Sequence, residues 1–118
     1  MEERELEILL KERCKVLDLK KKVFESLDEI FAENSNDKEF LCGFEQAEIK
    51  TVFDGFSYKI DRRHGESIIS TRIGLYIENQ LWIDNLERIG YYELESDFGG
   101  EILDDWLVIE KEKDPEKN

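Results

Sequence analysis

The chain has 118 residues, of which 40% are charged and 40% hydrophobic, and its thirty acidic residues outweigh seventeen basic ones to leave a net charge of −13. This length suits a single domain, and folding at this size buries roughly two-thirds of the unfolded chain's surface, enough for one core without staples. A field this negative repels phosphates and draws cationic surfaces, so direct nucleic-acid binding is not expected.

Met1 leads straight into Glu2-Glu3-Arg4-Glu5, without the apolar run of a signal peptide. No stretch approaches the ~18 apolar residues of a membrane span. Cys14 and Cys42 are the only cysteines, and they form no CxxC pair. They read as reduced thiols and, with the other absences, suggest a cytoplasmic protein.

Residues 2–33 read as one long amphipathic helix. Leu6, Leu10, Leu17, Phe24, Leu27 and Phe31 fall on one stripe, with Leu9, Cys14, Val23 and Ile30 at its margins. Glu2, Glu3, Glu5 and Glu7 suit the positive end of the helix dipole, while Glu7/Lys11 and Asp18/Lys22 are acid-before-base pairs at i,i+4. Asn34-Ser35-Asn36-Asp37 signals a stop. Residues 38–54 fit either a short helix followed by strand or strand throughout, with strand favoured over 45–53.

Beyond this point strand signals dominate. Phe56, Tyr58 and Ile60 alternate with polar residues, and Arg62-Arg63-His64-Gly65-Glu66 turns the chain. Ile73, Leu75 and Ile77 continue with period two. Glu78-Asn79-Gln80 suits a turn, and Leu81-Trp82-Ile83 is apolar enough to pack over a sheet edge. Residues 89–94 form another strand, with Ile89 and Tyr91 on one face and Gly90, Tyr92 and Leu94 on the other. Phe98-Gly99-Gly100 supplies a hairpin turn, and residues 102–109 close the series. The pattern predicts an α+β fold, a long N-terminal helix packed on one face of an antiparallel β-meander of four to five strands. Residues 1–110 would form one domain and 111–118 a charged flexible tail. Tyr76, Tyr91, Tyr92 and Trp106 cannot all face the helix, so some should lie on the open face.

Catalytic equipment is sparse. A nucleophilic triad needs an oriented base, and His64, the only histidine, sits in a charged turn near Ser67 and Ser70. One histidine and two isolated cysteines cannot build a common structural zinc site. His64-Gly65-Glu66 matches half of a deaminase signature whose PCxxC partner is missing. Neither GxxxxGK[ST] nor GxGxxG occurs, and Asp97, Glu101, Asp104 and Asp105 do not follow a calcium-loop pattern. No catalytic residue, metal or cofactor is therefore assigned, and a small-molecule enzyme using carboxylates ranks behind a binding role.

Charge is distributed unevenly. Between positions 73 and 110 there are ten acids and a single base, Arg88. Aromatic anchors interleaved with these acids would suit a basic protein partner, the aromatics giving contact area and the carboxylates steering. The candidate partner-binding set is Glu78, Trp82, Asp84, Tyr91, Tyr92, Glu93, Glu95, Asp97, Asp104, Asp105 and Trp106. The alternative is that these aromatics are core and the acids merely solubilise.

Ile89-Gly90-Tyr91-Tyr92-Glu93-Leu94, the stretch from Asp97 to Gly100, and Asp104-Asp105-Trp106-Leu107-Val108-Ile109 together resemble a hairpin of small acidic bacterial proteins. Among these are immunity proteins of polymorphic and contact-dependent toxin systems. The resemblance covers the C-terminal third and implies a cytosolic inhibitor that occludes a toxin domain, often a nuclease with a cationic site. It assigns no individual residue. The competing expectation is a homodimer or larger oligomer, a structural or regulatory domain whose open sheet face pairs with itself.

Overall fold

The computed structural model describes residues 2–37, 39–61, 66–82 and 84–113. His64, most of the 62–66 turn, Ile83 and the last five tail residues lie outside them. The elements are α1 (Glu3–Val16), α2 (Leu19–Glu33), a 3-10 turn (Gln46–Glu48), and strands β1 (Lys50–Asp61), β2 (Glu66–Glu78), β3 (Leu86–Ser96) and β4 (Ile102–Ile109). The strands pair in sequence order, each antiparallel to the next. The fold is therefore α+β, with N-terminal helices and a four-stranded meander. Among the described residues, no helix is long and apolar enough to cross a membrane.

The helical segment is two helices rather than one. Asp18 adopts a left-handed conformation at φ 55°, which aspartate tolerates better than most non-glycine residues. The Leu17 N–H donates to Arg13 O and the Asp18 N–H to Lys15 O, closing the first helix. Neither glycine nor proline marks this break in the sequence. It reorients the apolar stripes, so that Cys14 is the only buried residue of α1, whereas α2 buries Leu19, Val23 and Leu27 at i,i+4 spacing. Glu7 and Lys11 pair at 3.1 Å as their spacing predicts. The Asp18 backbone instead accepts the Lys22 N–H, as the first bond of α2.

Val23 and Leu27 pack on Ile73, Leu75, Ile89, Tyr92 and Leu94, with Leu41, Phe44 and Ile49 from the connecting segment completing the core. Strand thus begins at Lys50, later than the favoured 45, because residues 39–43 turn and 46–48 coil to carry Phe44 inward. A register shift between Leu75 and Tyr76 skips Ile89. The bulge puts Ile89 in the core beside Tyr92 and Leu94, where strict alternation had placed it on the opposite face. Gly90 is required at this point, since a Cβ there would run into the carbonyl oxygen of Val108 and come within 3.1 Å of Ile109 Cα. Leu81 is 92% exposed and Trp82 51%, so they stand out from the β2–β3 turn rather than covering a sheet edge.

Candidate site on the open sheet face

The register sorts the side chains of the sheet between two faces. Ile73 and Leu75 pair with Tyr92 and Gly90 and face the helices, with Leu107 and Ile109 beside them. Arg72 pairs with Glu93, Gly74 with Tyr91 and Ser70 with Glu95, and across β4 Glu93 meets Trp106 and Glu95 meets Asp104. This second set occupies the face away from the helices. Of the predicted partner-binding residues, Tyr91, Glu93, Glu95, Asp104 and Trp106 are brought together there.

The centre of this face is charge-compensated. Arg72 donates to Glu93 Oε1 from Nε at 3.0 Å and approaches the same oxygen through Nη2 at 2.9 Å. Its guanidinium lies 3.9 Å from the Tyr91 ring centroid, with that of Arg88 5.8 Å away. Lys59 Nζ lies between Glu93 and Glu95, at 3.6 and 3.7 Å from their Oε2 atoms. Ser70 Oγ donates to Glu95 at 3.4 Å, and Arg88 pairs with Asp54 at 3.3 Å. Glu93 is 4% and Glu95 1% exposed, so both are covered by their cations and are not the solvent-facing steering carboxylates expected from sequence. Burying two neighbouring carboxylates is tenable because these cations offset their repulsion and lost hydration.

Other members of the predicted set lie elsewhere. Tyr92 is fully buried on the helix side, with its hydroxyl donating to Asp105 Oδ2 at 2.7 Å. Burial, reinforced by the neighbouring Asp105 carboxylate, holds that phenol far above its usual range. Tyr92 is a core residue and offers nothing to a partner. Glu78, Trp82 and Asp84 sit at the β2–β3 end. Asp97 lies in the β3–β4 turn, where its Oδ1 accepts the N–H groups of Gly99 and Glu101 at 2.9 Å each.

The cations Lys59 and Arg72 were missed because charge was counted along the chain, whereas the sheet compensates it across strands. Closing the hairpin over residues 79–85 in strict register sets Arg72 opposite Tyr92, and only the bulge at Ile89 brings it opposite Glu93. What remains uncompensated runs along the outer strand. Glu101, Asp104, Asp105 and Glu110 are exposed, and among the described residues no cation pairs with them. Half-buried Trp106 shares the open face with Asp104, whereas Asp105 lies on the helix side.

Both cysteines are free thiols, and burial raises the pKa of Cys14. Among the described residues, no group of three or more His, Cys, Asp or Glu is arranged to hold a metal ion. Comparison with family models, curated proteins and solved structures gives no match to this chain.

Proposed function

We propose that the chain is a stoichiometric binding protein, an inhibitor of the immunity type, that covers a basic protein partner such as a toxin domain. The observation that carries this reading is the outer strand with its flanks, where Glu101, Asp104, Asp105 and Glu110 lie exposed without an ion-pair partner among the described residues, Asp104 sharing the open face with Trp106 and Asp105 lying on the helix side. An edge strand also leaves one row of backbone groups available for pairing. Carboxylates in this position accelerate encounter with a cationic surface, and an aromatic among them supplies contact area once docked. The compensated centre formed by Arg72, Glu93, Lys59 and Tyr91 serves as a rigid support.

Affinity capture at low salt tests the reading, followed by zero-length carbodiimide cross-linking of the captured protein. Cross-links should join its lysines to Asp104, Asp105 or Glu101, and Trp106→Ala should weaken retention. Capture of no basic protein, or cross-links confined to the helices, would refute it.

Self-association draws on a different surface. Leu6, Ile8 and Leu9 of α1 and Phe56, Tyr58 and Ile60 of β1 are exposed large apolar residues. Light scattering across a concentration series separates the readings, because a concentration-dependent dimer lost in Ile60→Glu would favour this second one.

A further inference from the structure

At the β2–β3 end, between the 3-10 turn and the residues that follow β4, lies a cleft of about 530 Å³. At its wall Glu87 is 4% exposed, and its Oε1 accepts a hydrogen bond from Asn79 Nδ2 at 2.9 Å. Of the tail read from sequence over 111–118, residues 111–113 are hydrogen-bonded to the domain, and 114–118 lie outside the described residues. The Glu110 N–H donates to Ile89 O at 2.7 Å and the Lys113 N–H to Cys42 O at 3.0 Å. Between these anchors Lys111 pairs with Glu87, and Lys113 Nζ donates to Glu48 Oε1 at 2.6 Å. The Lys113 Cβ lies so close that a Cβ added to Gly43 would approach it within 3.2 Å.

This segment therefore forms one wall of the cleft and is held there as an extended peptide is, with two backbone anchors and two lysines at i,i+2 meeting two carboxylates. From this we infer that the track along the cleft made by Glu87, Glu48 and the Cys42 carbonyl is a receptor for an extended Lys-x-Lys segment of a basic partner, and that residues 111–113 hold this track intramolecularly until such a segment displaces them. The strap reveals the chemistry the cleft accepts: an ammonium at Glu87, a second at Glu48, and a backbone N–H at the Cys42 carbonyl. It also lowers apparent affinity, because an incoming segment must compete with a tethered one. The inference concerns a surface away from the open face and stands independently of the reading above.

The test uses the full chain carrying Lys111→Ala and Lys113→Ala, with fluorescence anisotropy of a labelled Gly-Lys-Ser-Lys-Gly peptide at low salt. The double variant should bind about tenfold or more tightly than wild type, as removal of the internal competitor requires. Adding Glu48→Gln and Glu87→Gln should abolish the gain, and a peptide with serine in place of both lysines should not bind. A folded double variant that binds no better than wild type would overturn the inference, as would a gain that survives both glutamine substitutions. If the double variant does not fold, the wild-type chain is titrated with the lysine peptide while the Asn79 side-chain amide is followed by NMR. Saturable movement of that resonance supports the inference, and none at millimolar peptide overturns it. The same gain in a Trp106→Ala background keeps this result separate from that of the open face.

Discussion

Replacing Tyr92 with phenylalanine removes one oxygen and leaves the ring in its place among Val23, Leu27, Ile73 and Leu94. The packing contribution is retained, so the loss reports the polar contacts of the hydroxyl, chiefly the 2.7 Å bond to Asp105 and with it the contact to Ser26. Hydrogen bonds to charged groups contribute about 1.5–3 kcal/mol, and the cost of deletion is larger when the abandoned partner is left dry. Asp105 is exposed and takes up water once released, so the lower part of that range, about 1.5–2 kcal/mol, is expected. With unfolding entropy of about 2.1 cal/mol/K per residue, each kcal/mol moves the midpoint of a chain this long by about 4 °C, giving a fall of about 6–8 °C. Urea denaturation of Tyr92→Phe, Asp105→Ala and the double variant closes a cycle whose coupling term should carry most of this loss. Partner binding by Tyr92→Phe should match wild type, since the residue is buried. A stability change below about 0.5 kcal/mol, the usual range of a surface substitution, would refute the reasoning. So would a binding defect in a fully folded variant.

Other positions give sharp expectations. Gly90→Ala should destabilise by about 1–3 kcal/mol and toward the upper end, because the obstacle is the backbone of β4; chemical denaturation measures it. Arg72→Ala leaves Glu93 buried with only Lys59 near it, and should cost about 2–3 kcal/mol, whereas Lys21→Ala, which breaks an exposed helical pair, should cost under about 0.5 kcal/mol. The hydrogen bond from Lys113 lowers the Glu48 pKa below its ordinary value. The stability it contributes is therefore present above the normal glutamate range and lost as pH falls through the lowered value. Lys113→Ala should flatten that part of the stability profile between about pH 6 and pH 3. Cys14, buried and with a raised pKa, should alkylate only as the fold opens, which timed iodoacetamide labelling with mass spectrometry resolves.

Period-two alternation was enough to locate β4, whose bounds match the sequence reading, and the Phe98-Gly99-Gly100 turn before it. Local pattern carries such elements because each side chain's face is set by its neighbours two residues away. It fails where a long-range contact overrides the local period. The break at Asp18 lets Cys14 and Leu19 share one small cluster, a gain invisible to a helical wheel drawn through an unbroken helix. The bulge that carries Ile89 inward depends on its partner strand. The candidate site was legible as a set of residue types but not as a charge balance, because Lys59 and Arg72 reach the acids of β3 from β1 and β2. Tyr91 and Tyr92 show how little separates a surface aromatic from a core one. They are adjacent and identical, yet one lies under Arg72 and the other under α2.

The measurement that bears most directly on the binding role is the association rate of the captured partner across a salt series, by stopped flow, for wild type and for Glu101→Lys with Asp104→Lys. Both substitutions lie on exposed positions of the outer strand and its turn, so stability should hold within about 0.5 kcal/mol. If these carboxylates steer a basic partner, the variant associates about tenfold or more slowly at low salt and loses most of its salt dependence, while dissociation changes little. Association at the wild-type rate with the same salt slope would contradict the account.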